Sequence, residues 1–437
     1  MTTDATAATT LPAAPIAMER WRRHVDTILI PLGLFVLSFA VYTWIKNGAH
    51  TDLDYFVPLA DALLHGSLGL ADAPSWLNEV VPRNDLYYVV YPPMPALVVL
   101  PFVALFGPGF DQGWASIVVG AANVAIVYAV LRGMGVARRE RVVLSLVFAF
   151  GTVVWYSAAA GSSWHFAHVV ATACMLLAIR ACQLDARPAL IGLLFGAAVM
   201  SRLPLLLAAP FFLAYIVDRV QRDAEDPPNE TTFGSLLALR PKVRDLPIDL
   251  RAVFDYGWPL AAGVAVWLVG YLIYNNTRFG SPFENGYALI PGLLDEAQYH
   301  DGFFSIVNIP RKLYALFLTT PAEVGEFPWV QPHALGGLSI LLTTPLFLWS
   351  IKARRPDWFN LGAWVAVGLI LIPILLHADP GGLQFGFRYA QDFYPFLFLL
   401  TVRGLGGKLS FEAWIAIAIG FLVNLWGMGA TYFDWFA

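Results

Sequence analysis

The chain has 437 residues, of which 58% are hydrophobic and only 13% are charged, and its mean hydropathy is +0.62. Soluble domains carry about twice that charged fraction, and a net charge of −4 gives no basic surface for nucleic acid. Several apolar runs reach the roughly 20 residues that a bilayer crossing needs. The composition therefore predicts an all-α polytopic membrane protein.

The apolar runs predict eleven membrane-spanning helices. Three arginines at 20–23 precede the first run with no small-residue cleavage site after it, which predicts a disordered cytoplasmic N-terminus over 1–24 and a retained first helix. The proline-broken stretch 89–107 is expected to dip into the bilayer and return, because most lysines and arginines then lie on the cytoplasmic side. This topology places the N-terminus inside and the C-terminus outside. The predicted spans are 27–46, 113–132, 142–158, 166–183, 188–201, 203–219, 257–275, 335–352, 358–377, 392–405 and 411–431.

The polar loop 47–112 follows the first span and carries the first candidate carboxylates. Asp52 and Asp54 lie just beyond the membrane boundary, where a charged group is costly unless it is solvated or used. A carboxylate at this position suits a general base acting on a hydroxyl, or a ligand of a divalent cation. The alternative is that one of the two aspartates caps a short surface helix, which is predicted over 59–66.

Other polar residues in the predicted outer segments are candidates for substrate and phosphate binding. Arg202 and Arg388 are candidates to hold a phosphate, because arginines are scarce on that side of the chain. His165 and His168 share a helix face, on which they can bind a metal or a phosphate. The full set is Glu79, Arg83, Tyr91, His165, His168, Arg202, Glu284, Tyr287, Arg388 and Tyr389.

Several of these candidates have a purely structural alternative. Tyr91 belongs to a run of tyrosines of the kind that anchors proteins at membrane interfaces. Arg202 can extend its charged end to the surface while its stem lies in lipid. Arg388 is four residues from Asp392 and can simply pair with it.

A second surface helix is predicted over 303–318, in a later outer loop. Its Arg311 and Lys312 are expected to face lipid headgroups. The largest cytoplasmic loop, 219–256, is rich in proline and charge and carries no motif.

The order of these motifs is their most specific property. An acid (Asp52) starts the long outer loop, a surface helix runs over 60–66, and Tyr-Pro-Pro at 91–93 precedes an apolar run that stops at 105–107. A hairpin then places a basic residue at its end, over 196–202. This order resembles the GT-C superfamily of integral-membrane glycosyltransferases, in particular the bacterial branch akin to protein O-mannosyltransferases and aminoarabinose transferases. The resemblance covers roughly the first 280 residues well and the remainder in layout.

The resemblance implies a GT-C-type bundle of about 11 transmembrane helices, with outer juxtamembrane helices in the first and in a later extracytoplasmic loop. Residues 25–280 would form the main transmembrane module, with the catalytic loop at 47–112. Residues 281–437 would form an outer loop and the C-terminal helices.

The resemblance also implies an inverting transfer of a sugar from a polyprenyl-phosphate donor to an acceptor hydroxyl of a glycan, lipid or protein. The reaction would take place on the extracytoplasmic side of the bacterial cytoplasmic membrane. Asp52 falls at the position of the family's catalytic aspartate, the general base. The family often has a second acid directly after it, where Leu53 stands here and Asp54 follows as a supporting residue. This spacing leaves open whether Mg²⁺ or Mn²⁺ binds at the two aspartates.

Two rival functions belong to other classes. A transporter or flippase of lipid-linked sugars would carry charged residues inside its spans and have pseudo-symmetric halves; the sequence has no mid-span acids and no evident symmetry. A non-catalytic membrane assembly factor would leave Asp52 dispensable.

Overall fold

The computed structural model describes residues 16–46, 51, 53–225, 248–325, 329–332, 336–382 and 384–433. Asp52, residues 1–15 and most of the predicted cytoplasmic loop 219–256 lie outside these ranges. Residues 16–24, which were predicted to be disordered, instead form a helix that runs into the first span. Adding turns to an existing helix avoids the cost of nucleation, which explains this extension.

The described residues are predominantly helical. A π-helical turn (Val25–Leu29) joins the first two helices, and two short antiparallel hairpins are the β-structure of the described ranges. The strands are β1 (Val80–Arg83), β2 (Leu86–Val89), β3 (Ala322–Glu323) and β4 (Val330–Gln331). The α-helices are α1 (Ile16–His24), α2 (Ile30–Lys46), α3 (Phe56–Leu64), α4 (Met94–Phe106), α5 (Gln112–Gly133), α6 (Arg138–Phe150), α7 (Val154–Ala160), α8 (Ser163–Gln183), α9 (Pro188–Val199), α10 (Ala209–Glu225), α11 (Leu250–Phe279), α12 (Ile309–Phe317), α13 (Ile340–Thr343), α14 (Trp358–Leu376), α15 (Tyr394–Leu405) and α16 (Phe411–Tyr432). The 3₁₀ helices are Leu203–Ala208, Tyr287–Leu289, Leu293–Asp295, Ala297–Tyr299, Ile306–Asn308, Pro345–Lys352 and Arg388–Asp392.

The chain is an all-α polytopic membrane protein. Within the described ranges, seven helices are long and apolar enough to cross a bilayer, and the pair α6 and α7, bent by 53°, makes an eighth if it forms one span. Each of these eight corresponds to a span predicted from the sequence. Helices α4, α9 and α15 are apolar but have only 12 or 13 residues, which reach about 20 Å against a hydrocarbon core of about 30 Å.

One predicted span is wrong. Where a helix was expected over 335–352, the described residues form the four-residue helix α13 and then a 3₁₀ helix from Pro345 to Lys352. The helix breaks at Pro345, which gives no backbone N–H to the helical ladder. The proline alone does not explain the break, since α4, α11 and α14 continue through Pro101, Pro259 and Pro373.

The β1–β2 hairpin, which the sequence analysis did not identify, organises the first outer loop. Its register pairs Val80 with Val89 and Arg83 with Leu86. The two turn residues, Asn84 and Asp85, both have positive φ, as a tight type I′ turn requires. The hairpin therefore brings residue 79, just before β1, close to residues 90–92, just after β2.

The predicted surface helix over 303–318 forms as α12, but Lys312 points the wrong way for its predicted role. Lys312 is 1% exposed and its ammonium donates to the carbonyl of Asp379. Arg311 is exposed, and its guanidinium donates to the carbonyl of Ala378. Lys312 therefore turns into the protein, where a backbone carbonyl accepts its hydrogen bond.

Helices α9 and α11 approach closely because glycines lie at their contact. A Cβ atom added at Gly263 would collide with the carbonyl oxygen of Ala189, whereas a Cβ at Gly270 on the same helix would meet no described atom within 4 Å. Small residues at such contacts let two helix backbones pack directly.

We expect Gly263→Ala to destabilise the protein by about 1–3 kcal/mol, because the added methyl group forces α9 and α11 apart. Thermal unfolding in detergent measures the effect. Gly270→Ala is the matched control and should be neutral or slightly stabilising, since alanine favours a helix. Equal melting temperatures for the two variants would contradict the α9–α11 contact.

Candidate active site

A cavity of about 720 Å³ lies between the β1–β2 hairpin, the start of α8, the turn between α9 and α10, and the segment after α14. The loop 285–304, built from short 3₁₀ turns, forms a further wall. The cavity is largely apolar with a charged interior. Among the described residues, the ionised side chains that line it are Glu79, Arg202, Glu296, Asp379 and Arg388.

Glu79 enters the cavity from the residue before β1 and is held at both its backbone and its carboxylate. Its backbone N–H donates to the hydroxyl of Tyr55 at 3.2 Å. The indole N–H of Trp164 is shared between Glu79 Oε2 at 3.1 Å and the hydroxyl of Tyr91 at 2.6 Å. Burial raises the pKa of Glu79 to about 7, against the opposing effects of the Trp164 hydrogen bond and the Arg388 charge. A carboxyl group with this pKa suits general acid or base chemistry near neutral pH.

Arg388 is held between two aromatic rings. Its guanidinium lies 5.2 Å from the ring centres of both Trp164 and Tyr389, and the residue is 5% exposed. Its Nη2 atom lies 3.9 Å from a carboxylate oxygen of Asp379. Its Nε and Nη1 atoms have no hydrogen-bond partner among the described residues. A buried guanidinium with two uncommitted donors beside a cavity is suited to bind an anion.

Asp379 lies beside Arg388 in the cavity wall. It accepts hydrogen bonds from the hydroxyl of Tyr389 and, at 3.0 Å, from the backbone N–H of Gly381. Burial alone would raise the pKa of Asp379, but the Arg388 charge and the Tyr389 hydrogen bond outweigh it and hold the pKa below its usual value. Burial lowers the pKa of the neighbouring His377 to about 4, so this imidazole is neutral at pH 7.

Arg202 also lines the cavity, but its charge is satisfied from within the protein. It binds both carboxylate oxygens of Asp392, at 3.1 and 2.9 Å, and His168 Nδ1 lies 2.9 Å from the same carboxylate. Burial would raise the pKa of Asp392, but Arg202 and His168 hold it well below its usual value. The sequence alternative of a pair between Arg388 and Asp392 is wrong, because Asp392 pairs with Arg202 instead.

The structure brings half of the twelve predicted site residues to this cavity: Glu79, Tyr91, Arg202, Tyr287, Arg388 and Tyr389 line it. His168 lies behind Arg202, and His165 packs deeper in α8, with its Nδ1 atom 2.8 Å from the hydroxyl of Ser162. The two histidines share a helix face, as predicted.

The other described candidates lie elsewhere. Asp54 is buried at the start of α3 and is not among the cavity residues, and Arg83 is exposed at the tip of the hairpin. Glu284 accepts a hydrogen bond from the backbone N–H of Gly286 at 2.7 Å, which gives it a role in the loop turn. The described ranges contain no group of three or more His, Cys, Asp or Glu side chains that suits a metal ion. Because Asp52 is outside those ranges, a cation at Asp52 and Asp54 stays a prediction.

The neighbours of Asp52 in the chain approach the cavity wall. The backbone N–H of Ser163, a cavity residue, donates to the carbonyl of Leu53 at 3.1 Å. The Ser163 hydroxyl accepts from the backbone N–H of Tyr55 at 2.8 Å. Leu53 has a φ of 58°, a left-handed conformation that is costly for a branched residue and is found at ligand-binding sites.

Sequence reasoning missed Trp164, His377 and Asp379 as cavity residues. Trp164 was seen only as the start of a helix. The run His-Ala-Asp-Pro-Gly-Gly at 377–382 directly follows an apolar span, and titratable residues in a turn at a membrane boundary were a usable signal.

We expect Asp392→Asn to lower the free energy of unfolding by about 1–3 kcal/mol, because it leaves the half-buried Arg202 without its compensating charge. Thermal or chemical unfolding in detergent measures this loss. The control is Asp61→Asn, which removes an exposed pair with His65 and should change stability by less than about 1 kcal/mol. A stability loss no larger than that of the control would contradict the buried network.

No family model matches this chain. No curated protein matches it in sequence. Among solved structures, it is similar to the crystal structure of ArnT from Cupriavidus metallidurans bound to undecaprenyl phosphate, at 16% sequence identity and a TM-score of 0.49. The match covers 90% of this chain and 63% of the ArnT chain, so this chain spans less than two thirds of the length of that protein.

Proposed function

We propose that this protein is a membrane glycosyltransferase. It moves a sugar from a polyprenyl-phosphate donor to an acceptor hydroxyl, with inversion, on the extracytoplasmic side of a bacterial cytoplasmic membrane. The observation that carries the proposal is the cavity in which Arg388, with two uncommitted N–H donors, lies on the face of the indole whose N–H binds Glu79. The indole ring of Trp164 thus lies between the proposed anion site at Arg388 and the carboxyl group of Glu79, whose pKa is about 7.

A lipid-borne donor suits the apolar side of this cavity. Leu206, Leu207 and Phe304 line it and are 39%, 37% and 60% exposed. Leu206 and Leu207 belong to one of the apolar segments that are long enough to span the bilayer. An isoprenoid tail lying against these side chains stays in lipid while its phosphate reaches Arg388.

The proposed reaction is a single displacement. The acceptor oxygen forms a bond to the anomeric carbon as the bond from that carbon to the phosphate oxygen breaks, and the bonding electron pair leaves with the phosphate. Attack from the side opposite to the leaving group inverts the anomeric centre. Arg388 stabilises the charge that grows on the phosphate, and a carboxylate takes the acceptor proton.

Two carboxylates compete for the role of base. The family resemblance assigns it to Asp52, with Asp54 in support, and the contacts of Leu53 with the cavity residue Ser163 favour a position of that segment near the cavity. Glu79 lines the cavity and has a pKa near neutral. We propose Asp52 and Glu79 as an acidic pair in which one takes the proton and the other orients the acceptor.

The pH dependence of transfer distinguishes the two carboxylates. A base acts only when deprotonated, so if Glu79 is the base, kcat/KM of the wild type should rise with pH through about 7 and then level off. Glu79→Gln should then lower the rate about 10²–10⁴-fold and abolish that rise. If Asp52 is the base, Asp52→Asn should show the large loss, and the Glu79 variant should keep measurable turnover. Release of polyprenyl phosphate in proteoliposomes measures both, and wild-type rates in both variants would contradict the acidic pair.

Arg388→Met should weaken the binding of polyprenyl phosphate about ten- to hundredfold, because it removes a charge-assisted interaction with the phosphate. Arg83→Met is the matched control: this arginine is exposed and lies outside the cavity. Equilibrium binding of the lipid to protein in nanodiscs gives both affinities. Equal losses for the two variants would show that only general positive charge attracts the lipid, and an unchanged affinity in Arg388→Met would remove the proposed phosphate site.

A further inference from the structure

The segment 303–312 holds the end of α14 through its backbone and Asn308. The backbone N–H of Ala378 donates to the carbonyl of Phe303 at 2.9 Å, and that of Ser305 donates to the carbonyl of Leu376 at 2.8 Å. The side-chain amide of Asn308 donates to the same Leu376 carbonyl at 3.0 Å. We call these contacts, together with the hydrogen bonds that Arg311 and Lys312 donate, the clasp.

Two cations, the exposed Arg311 and the buried Lys312, complete the clasp. Arg311 donates to the carbonyl of Ala378 and, at 3.2 Å, to the side-chain oxygen of Asn308. The Lys312 ammonium donates to the carbonyl of Asp379 and lies 4.9 Å from the ring centre of Tyr389. Burial lowers the pKa of Lys312 to about 8. A buried ammonium is costly, and the free carbonyls at the negative end of α14 offset that cost.

Residues 303–318 also present apolar side chains to the exterior. Ile306, Val307, Tyr314 and Leu318 are between 55% and 75% exposed. The clasp fastens this segment to the end of α14, a helix long enough to span the bilayer, so the exposed side chains lie at the level where that span ends. A helix with apolar groups facing outward at that level fits the acyl and headgroup boundary of a lipid bilayer.

Asp379 connects the clasp to the cavity. Lys312 binds its backbone carbonyl, while its carboxylate accepts from Tyr389 and lies 3.9 Å from Arg388. Asp379 therefore contacts both Lys312 of α12 and the guanidinium of Arg388, which we propose as the phosphate ligand. Displacement of α12 would move the Asp379 carboxylate and, with it, the orientation of Arg388.

We propose that Arg311 and Lys312 are positioning residues that couple the bilayer-facing helix α12 to Asp379, so that the anion-binding geometry of Arg388 depends on the seating of α12 in lipid. The role of Arg388 in this statement rests on the proposed function. The mechanical coupling of α12 to residues 377–382 does not, and it is measurable without any substrate.

Hydrogen–deuterium exchange of the full-length protein in nanodiscs tests the coupling. In Lys312→Met, which keeps the side-chain length and removes the charge, the amides of 377–382 should exchange at least tenfold faster than in the wild type. The amides of α8 should be unchanged, which shows that the fold is intact. Lys352→Met is the control, because that lysine is exposed and stacks on Trp349 at the far end of a different element. Unchanged exchange at 377–382 in Lys312→Met overturns the proposal.

A second variant covers the case in which Lys312→Met fails to fold. Ile306→Asp alters only the exposed apolar side, at a residue that is 75% exposed. It should accelerate exchange of 377–382 in nanodiscs by unseating the segment from the lipid. Wild-type exchange at 377–382 in this variant would contradict the dependence on lipid seating.

Binding of polyprenyl phosphate gives the functional readout. Lys312→Met should weaken binding severalfold, Lys312→Arg should recover part of the loss, and combining Lys312→Met with Arg388→Met should add little to the loss from Arg388→Met alone. Additive losses would contradict a route through Arg388. If the wild type binds no polyprenyl phosphate, the proposed function fails, and the exchange measurements still decide the clasp.

Discussion

A fully buried carboxylate at Asp392 constrains the centre of this protein. Its charge is balanced by Arg202, and His168 Nδ1 lies within hydrogen-bond distance of it; both residues come from distant parts of the chain. An unpaired carboxylate in this environment would cost several kcal/mol, so α8, the turn after α9 and the 388–392 segment must meet in one arrangement. That arrangement sets the wall of the cavity, because Arg202 and Arg388 both line it.

The same constraint gives the two cavity arginines different chemistry. Arg202 donates two hydrogen bonds to the Asp392 carboxylate, and this pairing holds Arg202 in the cavity wall. Arg388 lies between Trp164 and Tyr389 with two donors uncommitted among the described residues, and it is the cation available to a ligand. Since Trp164 donates to Glu79 through its indole N–H and lies against Arg388 through its ring face, the proposed proton acceptor and the proposed anion site stand at a fixed separation, as displacement of a sugar from a phosphate requires.

The sequence predicted what depends on local pattern. The length of the apolar runs predicted the long spans. Polar residues at span boundaries predicted Glu79, Arg202 and Arg388 as site residues, and all three line the cavity. The sequence did not predict contacts between distant segments. Spacing alone suggested Arg388 as the partner of Asp392, whereas the partner is Arg202, 190 residues away in the chain. The amphipathic periodicity of the sequence predicted α12. Periodicity alone does not tell which face of a helix meets lipid, so the direction predicted for the Lys312 side chain was wrong. The span predicted over 335–352 was wrong because apolar composition does not show where a helix breaks: the chain breaks at Pro345, whereas α14 continues through Pro373.

The proposed function requires that a lipid-borne phosphate bind at Arg388 with its tail against the apolar side of the cavity. Photo-crosslinking tests this binding with a polyprenyl phosphate that carries a photoreactive group beside the phosphate, and mass spectrometry maps the labelled peptides. We expect labelling to be concentrated in 201–207 and 373–389, to be competed by unlabelled polyprenyl phosphate and to be lost in Arg388→Met. Labelling confined to other faces of the bundle, such as α16, or equal labelling of the Arg388 variant, would contradict it.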